Sequence, residues 1–175
     1  LRAQVVQRYA FHNLIGKSPA MQEIYAKIEQ VADSRTTVLV TGESGTGKEL
    51  VARAIHLSSR RASHTFLAVN CAGFTDSILG SQLFGHKKGA FTGADDAATG
   101  FIAEADGGIL FLDEIQTLSI PVQQKLLRVL NDGTYNRLGE TKLHRSNFQL
   151  IAATTKDLTK EVEEGRFLLD IQMRM

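Results

Sequence analysis

A run rich in β-branched side chains, Thr37 to Thr41 (TVLVT), passes without a break into Gly42-Glu43-Ser44-Gly45-Thr46-Gly47-Lys48. No other feature restricts the fold as much. The run predicts a short buried strand. The residues after Lys48 predict a helix with Leu50, Val51, Ala54, Ile55 and Leu57 or Ser58 facing inward. Between them, Gly42, Gly45 and Gly47 let the backbone turn tightly with no Cβ in the way.

The rest of the chain repeats this alternation. Ser18-Pro19 opens a helix whose Met21, Ile24, Tyr25, Ile28 and Val31 form one apolar face. Thr65 to Asn70 and Ile109 to Leu112 read as strands, the latter ending at Asp113-Glu114. Pro121 starts a helix through Leu130, stopped by Asn131-Asp132-Gly133. Phe148 to Thr154 is a fourth strand, and Asp157 caps a helix to Glu164 with Gly165 as its stop. Short apolar strands alternating with amphipathic helices predict an α/β domain with a mainly parallel sheet and helices on both faces. Such sheets bind ligands at the carboxyl ends of their strands.

Composition narrows the possibilities. The 175 residues suffice for one domain with a core, and 43% apolar content makes it globular. A net charge of +1 gives no electrostatic case for broad nucleic-acid or membrane-surface binding. No apolar run approaches the roughly 20 residues of a membrane span. The lone Cys71 excludes an internal disulfide and fits a reducing compartment, so a cytoplasmic location is expected. The five histidines lack paired metal-ligand spacing, and no zinc site is expected. The chain begins Leu1-Arg2-Ala3-Gln4, without Met, and reads as a domain cut from a longer protein.

Gly42 to Lys48 matches the first seven positions of the phosphate-binding pattern G-x-x-x-x-G-K-[ST]. Successive N–H groups and a helix N-terminus form a cradle for phosphate, and Lys48 adds a point charge. A glycine-rich turn that binds nothing is the competing reading; strand, loop, lysine and helix in register weigh against it. The last position holds Glu49 where the pattern has a hydroxyl, and Glu49 is expected to face outward near the helix N-terminus. Asp113 is the expected magnesium ligand and Glu114 the general base that polarises the attacking water, with a strand that ends in a solvated acidic turn as the competing reading. Asn70 either restrains Glu114 or simply forms a turn. In the stretch His86 to Ala94, glycines on both sides of Ala90-Phe91-Thr92 suggest a mobile loop with an aromatic tip. Phe91 either meets a partner or folds back into the core.

Six stretches carry a family resemblance: GESGTGKE (42–49), QLFGH (82–86), GAFTGA (89–94), GGILFLDE (107–114), KLLRVL (125–130) and AATTKDL (152–158). Together they resemble the central AAA+ domain of sigma-54-dependent transcription activators, from about His12 onward. GAFTGA is highly specific to that family, and glutamate at position 49 is usual in it. The resemblance implies a P-loop AAA+ core binding ATP and Mg2+ through Gly42, Glu43, Ser44, Gly45, Thr46, Gly47, Lys48 and Glu49, with Asp113 on the metal. Lys48, Asp113, Glu114 and Arg174 would be catalytic. Asn70 and Thr155 would be switch and sensor. Gly89, Ala90, Phe91, Thr92, Gly93 and Ala94 would contact sigma-54 and remodel the closed promoter complex of RNA polymerase. It further implies self-association into a ring, typically a hexamer, a helical lid beyond residue 175, a possible linker at 1–11, and DNA binding by a domain outside this chain.

Two departures matter. Thr155 stands where the family usually has asparagine, and Leu168 replaces the first of two arginines that reach into a neighbour's site. Arg174 matches the second, and Arg166 is a possible substitute for the first. These departures favour an alternative: a regulatory ATP-binding module with weak or lost hydrolysis.

Overall fold

The computed structural model describes residues 10–175. Its central sheet contains β3 (Val38–Thr41), β4 (Phe66–Asn70), β5 (Ile109–Asp113) and β8 (Gln149–Thr154), in the order β3-β8-β5-β4. All three pairings are parallel. The two inner strands, β5 and β8, carry apolar residues on both faces and are buried accordingly.

Side-chain alternation splits the core in two. Leu110 and Leu112 of β5, with Leu150 and Ala152 of β8, point to one face. There they meet α3 (Asp76–Phe84), α4 (Phe101–Glu104) and α5 (Ile120–Asp132) through Leu83, Ile102 and Leu126. Ile109, Phe111, Ile151 and Ala153 point to the other face, against α1 (Pro19–Ala32) and α2 (Lys48–Ser58). Ser18 and Ser119 cap α1 and α5: their hydroxyls accept from the N–H groups of Met21 and Val122.

Two sequence expectations need correction. In α2, Leu50 does not face inward, at 45% exposure; of Leu57 and Ser58 it is Ser58 that turns in, its hydroxyl buried, while Leu57 is 46% exposed, and Ala52, Ala54, Ile55 and His56 are buried. Leu50 and Leu57 lie seven residues apart and so share one face, and the sheet takes the opposite face. Helix α5 also runs past Leu130 to Asp132. Only Gly133, at φ +69°, takes the left-handed conformation that ends it, and its N–H donates to Val129 O.

The first nine residues of the expected linker lie outside the described part. Ala10–Phe11 (β1) pairs antiparallel with Leu14–Ile15 (β2), and the Phe11 ring stacks on Tyr25 at 5.3 Å. A second antiparallel pair, β6 (Thr134–Asn136) with β7 (Leu143–Arg145), leads back into β8. Two short helices, α6 (Leu158–Glu163) and α7 (Leu169–Gln172), complete the described chain. No helix among the described residues is long and apolar enough to cross a membrane.

Candidate functional site

Four chain segments converge beyond the carboxyl ends of the strands: Gly42–Lys48 after β3, Asn70 on β4, Asp113-Glu114 on β5, and Thr154-Thr155 on β8. Strand order places β8 between the glycine loop and the acidic pair. Gly42 N–H donates to Thr154 O at 3.3 Å and joins the loop to that middle strand.

The loop holds the shape its glycines permit. Gly45 and Gly47 sit at φ +77° and +91°, a region L side chains rarely enter. Gly47 is the N-cap of α2, so the loop opens directly onto a helix N-terminus. Lys48 is only 8% exposed, and its ammonium donates to the carbonyls of Gly42 at 2.9 Å and Glu43 at 2.7 Å. Those bonds curl the side chain back over the loop and hold the cation among its backbone groups. Thr46 Oγ1 donates to Glu43 O at 2.7 Å and braces the same turn. Glu49 points away and accepts from Arg53 at 2.7 Å, half-exposed. Its carboxylate is therefore committed one turn along α2.

At the end of β5, Asp113 Oδ1 accepts the Glu114 N–H at 2.9 Å, and Oδ2 makes no hydrogen bond among the described residues. A half-buried carboxylate with a free oxygen suits a magnesium ion, which keeps several waters and uses one or two carboxylates. Glu114 adopts φ +55°, a left-handed conformation that is costly for a residue with Cβ. Its Oε2 accepts from Thr155 Oγ1 at 3.0 Å and from Gln116 Nε2.

Asn70 is Asp113's register partner, but its side-chain oxygen accepts from Ala72 N at 3.0 Å and caps a short turn at Cys71–Gly73. It makes no hydrogen bond to Glu114 among the described residues. Cys71 is buried beside the acidic pair; burial, then the charges of Asp113 and Glu114, push its thiol up to about 12. It stays protonated and unreactive.

Gln116 and Thr154 escaped the sequence reading. Thr154 Oγ1 donates to Gln116 Oε1 at 2.8 Å. The one hint was an amide two residues beyond the acidic pair, within a stretch otherwise headed into the core.

A cavity of about 460 Å3 flanks the loop, lined by Gly42, Glu43, Thr154, Thr155, Asp157 and Gln172 among others. A larger cleft, about 740 Å3, lies at the opposite end of the sheet. Arg174 lines that cleft with Thr36, Thr37 and Asn147, away from its own glycine loop. Arg166, the possible substitute arginine, is tied down instead: Glu161 accepts from it at 2.8 and 3.1 Å, and Glu164 also pairs with it. Leu168 N–H donates to Gln123 Oε1 at 2.8 Å, and its side chain packs against the core.

The 89–94 loop is a closed turn. Gly89 N–H donates to Ala94 O at 2.8 Å, with Gly89 and Gly93 at φ +79° and +94°. Phe91 is 45% exposed and belongs to neither half of the core, so it does not fold inward. Its ring meets His86 edge-on at 5.0 Å.

The Sigma-54 interaction domain matches residues 14–175. The chain belongs to that family. The Nif-specific regulatory protein of Azotobacter vinelandii is 48% identical over the whole of this chain and 34% of its own length. The transcriptional regulatory protein ZraR of Escherichia coli K12 is 51% identical over 93% of this chain and 37% of its own. The chain thus spans about a third of the curated relatives it matches. Among solved structures, NtrX from Brucella abortus in complex with ATP superposes with a TM-score of 0.85 at 38% identity, covering 99% of this chain and 36% of that one. The P-loop NTPase domain of a sigma-54 transport activator from E. coli, at 21% identity and TM-score 0.58, shares the fold; the match covers 85% of this chain and 97% of that one. The domain is therefore a P-loop AAA+ core of the sigma-54 activator family.

Proposed function

We propose that this domain hydrolyses ATP with magnesium and uses the energy to remodel sigma-54 RNA polymerase at promoters. The observation that carries the reading is the joined site: a glycine loop with an inward ammonium at one side, an acidic strand end at the other, and Thr154 between them. The NtrX structure in complex with ATP, at 38% identity, supports nucleotide binding in the same fold.

The loop amides and Lys48 bind the β- and γ-phosphates, and Asp113 holds magnesium, which neutralises phosphate charge when bound. Glu114 takes a proton from water as the water oxygen bonds to the γ-phosphorus. The bond from that phosphorus to the β,γ-bridging oxygen breaks, and its electron pair leaves with ADP. The proton then passes to the released phosphate. Arg174, which lines the cleft at the other end of the sheet, acts in this reading on a neighbouring copy in a ring, a hexamer in the family pattern. Asn70 and Thr155 report nucleotide state to the 89–94 loop, whose exposed Phe91 meets sigma-54. DNA binding and a helical lid belong to segments outside this chain.

The alternative, a binding module with weak hydrolysis, draws support from Leu168 and from the local capture of Arg166. The test measures ATP turnover across protein concentration, and sigma-54 binding with an ATP transition-state analogue, for the unaltered chain and Phe91→Ala. Turnover that rises with concentration, and sigma-54 capture lost only in Phe91→Ala, support the motor. Background turnover at every concentration supports the binding module.

A further inference from the structure

We infer that Gln116 is a positioning residue for Glu114, acting together with Thr155; the inference rests on the hydrolytic reading above. After the left-handed Glu114, a tight turn at Ile115–Thr117 is closed by Thr117 N–H and Oγ1, which donate to Glu114 O at 3.0 and 2.8 Å. The turn swings Gln116 back across the end of β8. Both ends of its amide are engaged there. A carboxylate can only accept, so the nitrogen end faces Glu114 Oε2. The same nitrogen lies 3.3 Å from Thr155 Oγ1. The oxygen end accepts from Thr154 Oγ1, on a residue with no solvent exposure.

Two donors, Gln116 Nε2 and Thr155 Oγ1, therefore converge on one carboxylate oxygen. Oε1 of Glu114 makes no hydrogen bond among the described residues. Pinning one oxygen fixes the carboxylate plane and presents the other to water, which is what orients a general base. Thr154 anchors the far end of the amide and also accepts the Gly42 N–H through its backbone carbonyl. Gln116 thus sets the base relative to the phosphate loop. Asn70, turned into its own cap, does not share this task.

Gln116→Ala removes all three contacts of the amide. Gln116→Glu keeps the size but replaces the donor with a group that repels Glu114. Steady-state ATP hydrolysis, ATP affinity and melting temperature are measured for both beside the unaltered chain and Glu114→Ala. Both Gln116 variants are expected to lower kcat about tenfold, Gln116→Glu at least as much as Gln116→Ala, with KM and ATP affinity within about twofold and melting temperature retained. Unchanged or raised kcat in both variants, or a loss carried by KM, overturns the positioning role while leaving hydrolysis intact. An unaltered chain no faster than Glu114→Ala overturns the hydrolytic reading and the role of Gln116 with it.

Discussion

Gly42 donates its backbone N–H to the carbonyl of Thr154 at 3.3 Å, so the first residue of the phosphate loop is tied to the strand that separates it from Asp113 and Glu114. Parallel pairing in register brings Thr41 beside Thr154, and Leu112 beside Ala152. Cation and carboxylates therefore come from strands two positions apart and share a rim because every strand ends there.

Glu114→Gln keeps the shape of the side chain and removes the base. Hydrolysis should fall by roughly 10²–10⁴-fold, with ATP affinity nearly unchanged. Single-turnover hydrolysis beside equilibrium binding checks this; parallel loss of both would place Glu114 in binding rather than in chemistry.

Glu161 offers a pH-dependent test of stability. Hydrogen bonds from Arg166, followed by the charges of Arg166 and Lys156, hold its carboxyl below its ordinary value of 4.5 against the opposing effect of burial. A carboxyl depressed in the folded state contributes stability that is complete above about pH 4.5 and is lost as pH falls through the lower folded value. Melting temperature followed from pH 7 to pH 3 should drop over that window. Glu161→Gln should melt lower at pH 7 and lose less on acidification.

Gly108 precedes β5 where Thr65 O accepts the Ile109 N–H at 2.8 Å. A Cβ at Gly108 would press on that same carbonyl. Gly108→Ala should cost roughly 1–3 kcal/mol, lowering Tm by about 2–4 °C per kcal/mol in a chain of this size. Thermal melts check the shift, and an unchanged Tm would show that the strand entry yields freely.

The sheet was legible because its strands are short apolar runs with turn residues at their ends, as Ile109–Asp113 illustrates. The loop was legible because its chemistry is local in sequence. What escaped depends on distant partners. The six-residue turn from Asn136 to Leu143 joins strands of three residues each, mostly polar and too short to show a periodicity. Helix α3 buries Gly80 and Ser81 beside Leu79 and Leu83, so it has no clear apolar stripe. Leu50 was misplaced, and Leu57 could not be told from Ser58, because hydrophobicity alone does not fix which side of α2 meets the sheet. Gln116 was invisible because Thr154 and Thr155 lie 38 and 39 residues further along the chain.

Titration calorimetry of ATP binding, comparing the chain with Lys48→Ala, tests the phosphate-loop assignment most directly. Loss of a charged hydrogen-bonding partner worth about 1.5–3 kcal/mol should weaken binding at least about tenfold while the melting temperature without ATP changes little. Equal affinity for ATP in the two proteins would contradict the account.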